Sequence, residues 1–104
     1  MSEPFYLSYL KTVFLQRADK NPSYSGRAFA RSLELDPGAL CRIMSRKQVP
    51  SFKAVKKLAE KLNINQEDQM LFFSSILDEH KRQVLSRLER TSTKNGLTPT
   101  SLKN

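Results

Sequence analysis

Hydrophobic and polar positions recur with a helical rhythm through five segments of this chain. The first opens at Pro4, where Phe5, Tyr6, Tyr9, Leu10, Val13 and Phe14 return at helical spacing with Ser8, Lys11, Thr12 and Gln16 between them, the pattern of a helix with one apolar stripe. It should end by Asn21-Pro22, since proline disfavours α conformation in the residue before it, with Tyr24 tucked back onto the domain. The second, about Ser25 to Leu35, buries Phe29, Ala30 and Leu33 and exposes Arg27 and Arg31 behind a Ser25 cap. The third, about Pro37 to Ser45, starts at Asp36-Pro37, where the carboxylate can accept an orphan N–H and proline has none to lose. It turns Leu40 and Ile43 inward and Arg42 and Arg46 outward. The fourth follows a Ser51 cap, with Phe52, Val55, Leu58, Ala59 and Leu62 as its inner stripe and Lys53, Lys56, Lys57 and Lys61 outside. Glu60 is spaced to balance Lys56 or Lys57 on that surface.

After Asn63-Ile64-Asn65 breaks the pattern, Gln66 to about Arg90 resumes it with Met70, Phe73, Leu77, Val84, Leu85 and Leu88. A helix this long, about 35 Å at 1.5 Å per residue, outruns a module of this size. Its first half, Met70 to Leu77, is expected to pack against helix one. Its second half keeps an apolar edge at Leu77, Val84 and Leu88 beside Asp78, Glu79, Arg82, Arg87 and Arg90, a spacing suited to a partner helix or else to a mixed-charge solvated face. From Thr91 the chain is polar, with Gly96 and Pro99, and reads as a disordered tail over 91–104. The expected architecture is therefore all-α, five helices in one domain over 1–90.

Charge changes the picture from fold to partner. The chain of 104 residues carries a net charge of +8, and between Ser25 and Lys57 eight Lys or Arg face two acids. That concentration points to a polyanion. Helix amino termini add to it, because Ser25 and Gly26 open the second helix with unpaired N–H groups near Arg27, where a phosphate fits. Arg46 and Lys47 at the end of the third helix reach for phosphates too.

Other chemistry is thin. A single cysteine excludes an internal disulfide, and no Cys/His spacing suits a metal. Cys41, beside Arg42, could be a redox thiol or a small filler; lone His80 has no catalytic companions. No metal, cofactor or small-molecule ligand is expected. MSEP lacks the positive charge of a signal peptide and no apolar run reaches the roughly 18 residues of a membrane span, so the expected location is cytoplasmic. A membrane-surface role for helix one, with its aromatics and flanking cations, is the alternative to a core role.

Phe29-Ala30, Leu33, Leu35, Leu40 and Ile43, then Lys47, Pro50-Ser51, Val55, Leu58-Ala59, Leu62 and Ile64 resemble the lambda-repressor-like (Cro/XRE-type) helix-turn-helix, with its core motif over 25–64. More widely, Phe5-Tyr6-Leu7, Asn21-Pro22, Ser25-x-Arg27-x-Phe29-Ala30-Arg31 and Phe72-Phe73 resemble the amino-terminal module of larger bacterial regulators that carry a second domain after it. The resemblance implies a reader helix at Pro37 to Ser45, with Arg42 a principal base-contacting side chain and Lys53 a backbone contact. The sequence departs from the family at Pro37, Gly38 and Ala39, which offer no side-chain hydrogen bonds where amides or hydroxyls are usual. Gly38 could instead admit close approach of DNA or of a protein.

These readings converge on a double-stranded DNA-binding transcriptional regulator, not an enzyme. Ser25, Arg27, Lys47, Ser51 and Lys53 would hold phosphates, Arg42 helped by Arg46 would read bases, and Gly38 and Ala39 would line the contact. Leu77, Val84 and Leu88 would form a dimer interface, in a homodimer or a heterodimer with a longer relative. The alternative is a protein-interaction adaptor that uses the same fold without stable DNA binding; RNA is disfavoured because the aromatics fall on core stripes rather than among the basic residues.

Overall fold

A computed structural model describes residues 3–95 of the chain. They form α1 (Phe5–Lys20), α2 (Gly26–Ser32), α3 (Pro37–Met44), α4 (Phe52–Lys61) and α5 (Gln66–Asn95), with no strand among the described residues. Four of these helices begin where a short polar side chain takes a backbone amide left over by the helix. Ser25 Oγ accepts from the Ala28 N–H at 3.1 Å, Asp36 Oδ2 from Ala39 at 3.0 Å, Ser51 Oγ from Ala54 at 3.2 Å and Asn65 Oδ1 from Asp68 at 2.8 Å. α1 solves the same problem at long range. Pro4 supplies no side-chain cap, and the Tyr6 N–H donates instead to Ser75 Oγ of α5 at 3.0 Å.

Residues with left-handed backbone, Glu34 (φ 57°), Arg46 (φ 62°) and Asn63 (φ 54°), turn the chain after α2, α3 and α4. Asn63 is a residue type that adopts this conformation readily, whereas Glu34 and Arg46 each store roughly 1–2 kcal/mol of strain that packing around them must offset. The core that does so joins Tyr6, Leu7 and Leu10 of α1 to Phe29, Leu33, Leu40, Ile43 and Leu58, and closes with Ile64, Phe72 and Ile76. Phe72 sets its ring against the edges of Tyr6 and Tyr9, centroids 6.3 and 5.7 Å away and planes near perpendicular, a geometry worth about 0.5–1.5 kcal/mol per pair beyond burial. At the other end of α1, Arg17 lies 5.5 Å from the Phe29 ring centroid and donates to Tyr24 Oη (3.2 Å) and Ser32 Oγ (2.9 Å). That guanidinium holds the α1–α2 connection closed, and Tyr24 packs on Phe14 and Phe29 as expected.

Three expectations are corrected. α5 turns Phe72, Ile76 and half-buried Phe73 to the core, whereas Met70 and Leu77 are 72% and 53% exposed. The apolar residues of α5 form two stripes on opposite sides, and helical period alone does not say which one is buried. Phe52 is 81% exposed rather than part of the inner stripe of α4. α5 also runs past Arg90 to Asn95, so 91–95 are helical; the rest of the expected tail, 96–104, lies outside the described residues. No helix among the described residues is long and apolar enough to cross a membrane.

α5 is fastened to the α3–α4 connection by polar contacts. Arg46 Nε and Nη2 clasp both oxygens of Glu79 at 3.1–3.2 Å, and Glu79 is the buried charged residue of the core at 8% exposure. One residue on, His80 Nε2 meets the Pro50 carbonyl at 3.0 Å. Glu79→Ala should therefore cost about 2 kcal/mol in chemical denaturation, the scale of hydrogen bonds to a charged group. A loss below about 0.5 kcal/mol would show that the pair contributes little.

Tyr6 makes a prediction of opposite sign. Its Oη is buried without a hydrogen-bond partner among the described residues, and burial, aided by the nearby Glu79 charge, pushes the phenol up from 10 to about 12. Tyr6→Phe should leave stability unchanged or raise it by about 1 kcal/mol near neutral pH, because an unsatisfied hydroxyl is removed. The folded state keeps a proton that the unfolded chain releases near pH 10, so wild-type stability should fall as pH rises from 10 towards 12. Unfolding curves of the variant should lose the part of that fall due to Tyr6; parallel curves would refute the assignment.

Candidate nucleic-acid interface

The turn between α2 and α3 is tight because the Leu35 N–H returns to the Ala30 carbonyl at 2.9 Å. α2 and α3 therefore pack closely, and Arg27 and Arg31 line one cleft with Leu35, Asp36, Pro37 and Gly38, of about 430 Å³. Arg27 and Pro37 also border a neighbouring hollow of about 350 Å³, floored by apolar side chains such as Phe14, Phe29, Leu40 and Met44 with Cys41 beside them. The structure thus brings Arg27, Gly38 and exposed Cys41 to one surface.

Arg42 is exposed on α3, and its Nε donates to Gln48 Oε1 at 2.8 Å. The backbone fixes Gln48 in turn, since the N–H groups of Lys47 and Gln48 both reach the Arg42 carbonyl, at 2.8 and 3.2 Å. Gly38 has a local reason to be small. A Cβ there would stand 3.4 Å from Arg42 Nη1 and 3.0 Å from Asp36 Oδ2, so glycine leaves room for the guanidinium and for the carboxylate that caps α3. Ala39 is half-buried and donates its N–H to that cap.

Arg46 is a correction. Beyond the last turn of α3, its left-handed backbone sends the guanidinium to Glu79 of α5 instead of outward with Arg42. Ser25 and Ser51 are exposed, with their hydroxyls capping α2 and α4. Glu60 makes no ion pair among the described residues; two lysines of α4, Lys57 and Lys61, turn instead to Glu34. Lys61 pairs with its carboxylate at 2.9 Å, and Lys57 Nζ donates to its carbonyl at 3.1 Å. The hydrogen bond from Lys61 holds the Glu34 carboxyl below the usual range and raises the Lys61 ammonium, so this surface contact weakens as pH falls through the carboxylate range.

The two acids of the basic segment are therefore both engaged, Asp36 as a cap and Glu34 with α4. Arg27, Arg31, Arg42, Lys47, Lys53 and Lys56 remain exposed and in no ion pair among the described residues. Sequence reasoning missed Gln48 and the Glu34–Lys61 pair, which lie across turns where no periodic signal operates. It also missed the exposure of Phe52, next to Lys53 at the start of α4. Among the described residues no group of His, Cys, Asp and Glu could hold a metal. No known family model, curated protein or solved structure matches the chain.

Because Phe52 is 81% exposed, Phe52→Ser should change unfolding stability by less than about 0.5 kcal/mol. A loss of several times that in thermal or chemical denaturation would place the ring against the fold.

Proposed function

We propose that this chain binds double-stranded DNA as a lambda-repressor-like helix-turn-helix regulator of transcription, with α3 in the major groove. The observation that carries the reading is the set of six exposed cations, unpaired among the described residues, spread over α2, α3 with the turn after it, and α4. Phosphates would lie against Arg27, Lys47 and Lys53 and the capped helix starts at Ser25 and Ser51, where N–H groups and partial positive charge meet an anion. Arg42 would read a guanine edge through O6 and N7, a bidentate contact to which the guanidinium fork is matched. Gln48 holds Nε and leaves the two terminal nitrogens to donate. With Arg46 committed to Glu79, Arg42 carries most of the direct readout, helped by sequence-dependent DNA shape.

A protein-interaction adaptor is the second reading, and exposed Phe52 beside an otherwise charged surface is the observation that favours it.

Titration of fluorescent random-sequence duplex at two salt concentrations separates the two. Neutralising about four phosphates per subunit predicts a log–log slope near −3.6, at roughly −0.9 per phosphate. Absence of binding at low salt would reject the DNA reading and leave the adaptor.

On duplex enriched from a random pool, Arg42→Ala should narrow the gap between selected and random DNA by about 1–3 kcal/mol, whereas Lys53→Ala should weaken both alike. Equal losses for the two variants on both DNAs would remove Arg42 from the reading role.

A further inference from the structure

α5 has two apolar faces, and the core uses one of them. On the face away from Phe72, Ile76 and Glu79 lie Met70, Leu71, Leu77, Val84, Leu85 and Leu88, each more than half exposed. Met70, Leu77 and Val84 repeat every seven residues, and Ser74, Lys81 and Leu88 follow the same spacing one turn along, so the two rows make a continuous seam. A seven-residue repeat on a helix of 3.6 residues per turn drifts by about 20° per repeat and suits a partner helix that winds around it.

Charge along the same helix selects the partner and its direction. From Gln66 to His80 the sequence has no Lys or Arg and four acids, of which Glu79 is taken up by Arg46 and Glu67, Asp68 and Asp78 are left; from Lys81 to Asn95 it has five Lys or Arg and a single acid, Glu89. A second copy of α5 running antiparallel lays its basic half against the acidic half of the first, and opposes the two helix dipoles. A parallel copy would set like charge against like. A two-fold interface is self-complementary by symmetry, and this charge pattern is self-complementary only in the antiparallel sense.

We infer that the outer face of α5 pairs antiparallel with α5 of a second copy of this chain. The exposed row from Met70 to Leu88 is centred near residue 79, so the two-fold passes there, with Met70 opposite Leu88 of the other copy and Asp78 beside its Lys81. The inference stands on α5 alone and holds whether or not the chain binds DNA. Glu79, on the opposite side of the helix, holds Arg46 beyond the end of α3, so pairing at the seam also fixes the two α3 helices relative to each other.

Sedimentation of the full chain tests the pairing. The wild type should sediment as a dimer, and Leu77→Glu with Val84→Glu as a monomer of unchanged helicity by circular dichroism. Two single variants, Asp78→Lys and Lys81→Asp, keep the test sharp should the glutamates perturb folding: each alone should dissociate, and their equimolar mixture should recover the dimer mass. Direction is read by oxidative cross-linking in a Cys41→Ser background, where a mixture of Met70→Cys and Leu88→Cys should give a linked pair that neither variant gives alone. A wild type that stays monomeric at the highest attainable concentration overturns the inference, and so does cross-linking of Met70→Cys to itself in place of Leu88→Cys.

Discussion

Glu79 is a carboxylate that the core has taken almost out of water, and a charge so placed is tolerated only when it is paired and hydrogen-bonded. Arg46 meets it with two nitrogens, and to do so the chain leaves α3 through a left-handed residue that is not glycine. The strain at Arg46 and the burial of Glu79 are thus two sides of one arrangement. Without the pair, a buried charge and a strained turn would both be uncompensated. With it, the end of α3 is held against α5, which in turn spans α1 through Phe72 and the Tyr6 amide.

That constraint shapes the charged surface as well. With Arg46, beyond the end of α3, tied to Glu79, Arg42 is the arginine of α3 that reaches outward, steadied by Gln48 and given room by Gly38. Glu34, the other residue that turns the basic segment, uses its strained backbone to offer both carbonyl and carboxylate to α4. Both acids of this segment are engaged at the surface, Asp36 as a cap and Glu34 with Lys61, and the exposed cations of α2, α3, the turn after it and α4 leave a net positive field there. Such a field speeds encounter with a polyanion and gives affinity that falls with salt.

Much of the framework was legible because its causes are local. Ser25, Asp36 and Ser51 each cap the helix that follows by a bond to the residue three places on, and Pro4 and Pro22 bound α1 through their own backbone limits. What escaped the sequence depends on contacts between distant residues. Arg46 and Glu79 are 33 positions apart, so nothing near Arg46 tells it from Arg42. In α5 the stripes of Met70, Leu77 and Val84 and of Phe72 and Ile76 are equally helical; only the position of α1 decides which is buried. Phe52 resembled a core residue by type, yet as the first residue of α4 it is exposed. In the candidate site the exposed cations could be named from residue type alone, but the bond that aims Arg42 crosses the turn to Gln48 and could not.

The central claim is that one face, made of the start of α2, the outer side of α3 and the start of α4, meets duplex DNA. Amide chemical-shift mapping of the isotope-labelled chain during titration with a short duplex tests it most directly. The account predicts that the amides of Gly26, Arg27, Arg42, Gln48 and Lys53 move, while those of Leu77 and Val84 on the outer face of α5 stay in place. Shifts confined to α5, or none at low salt, would contradict it.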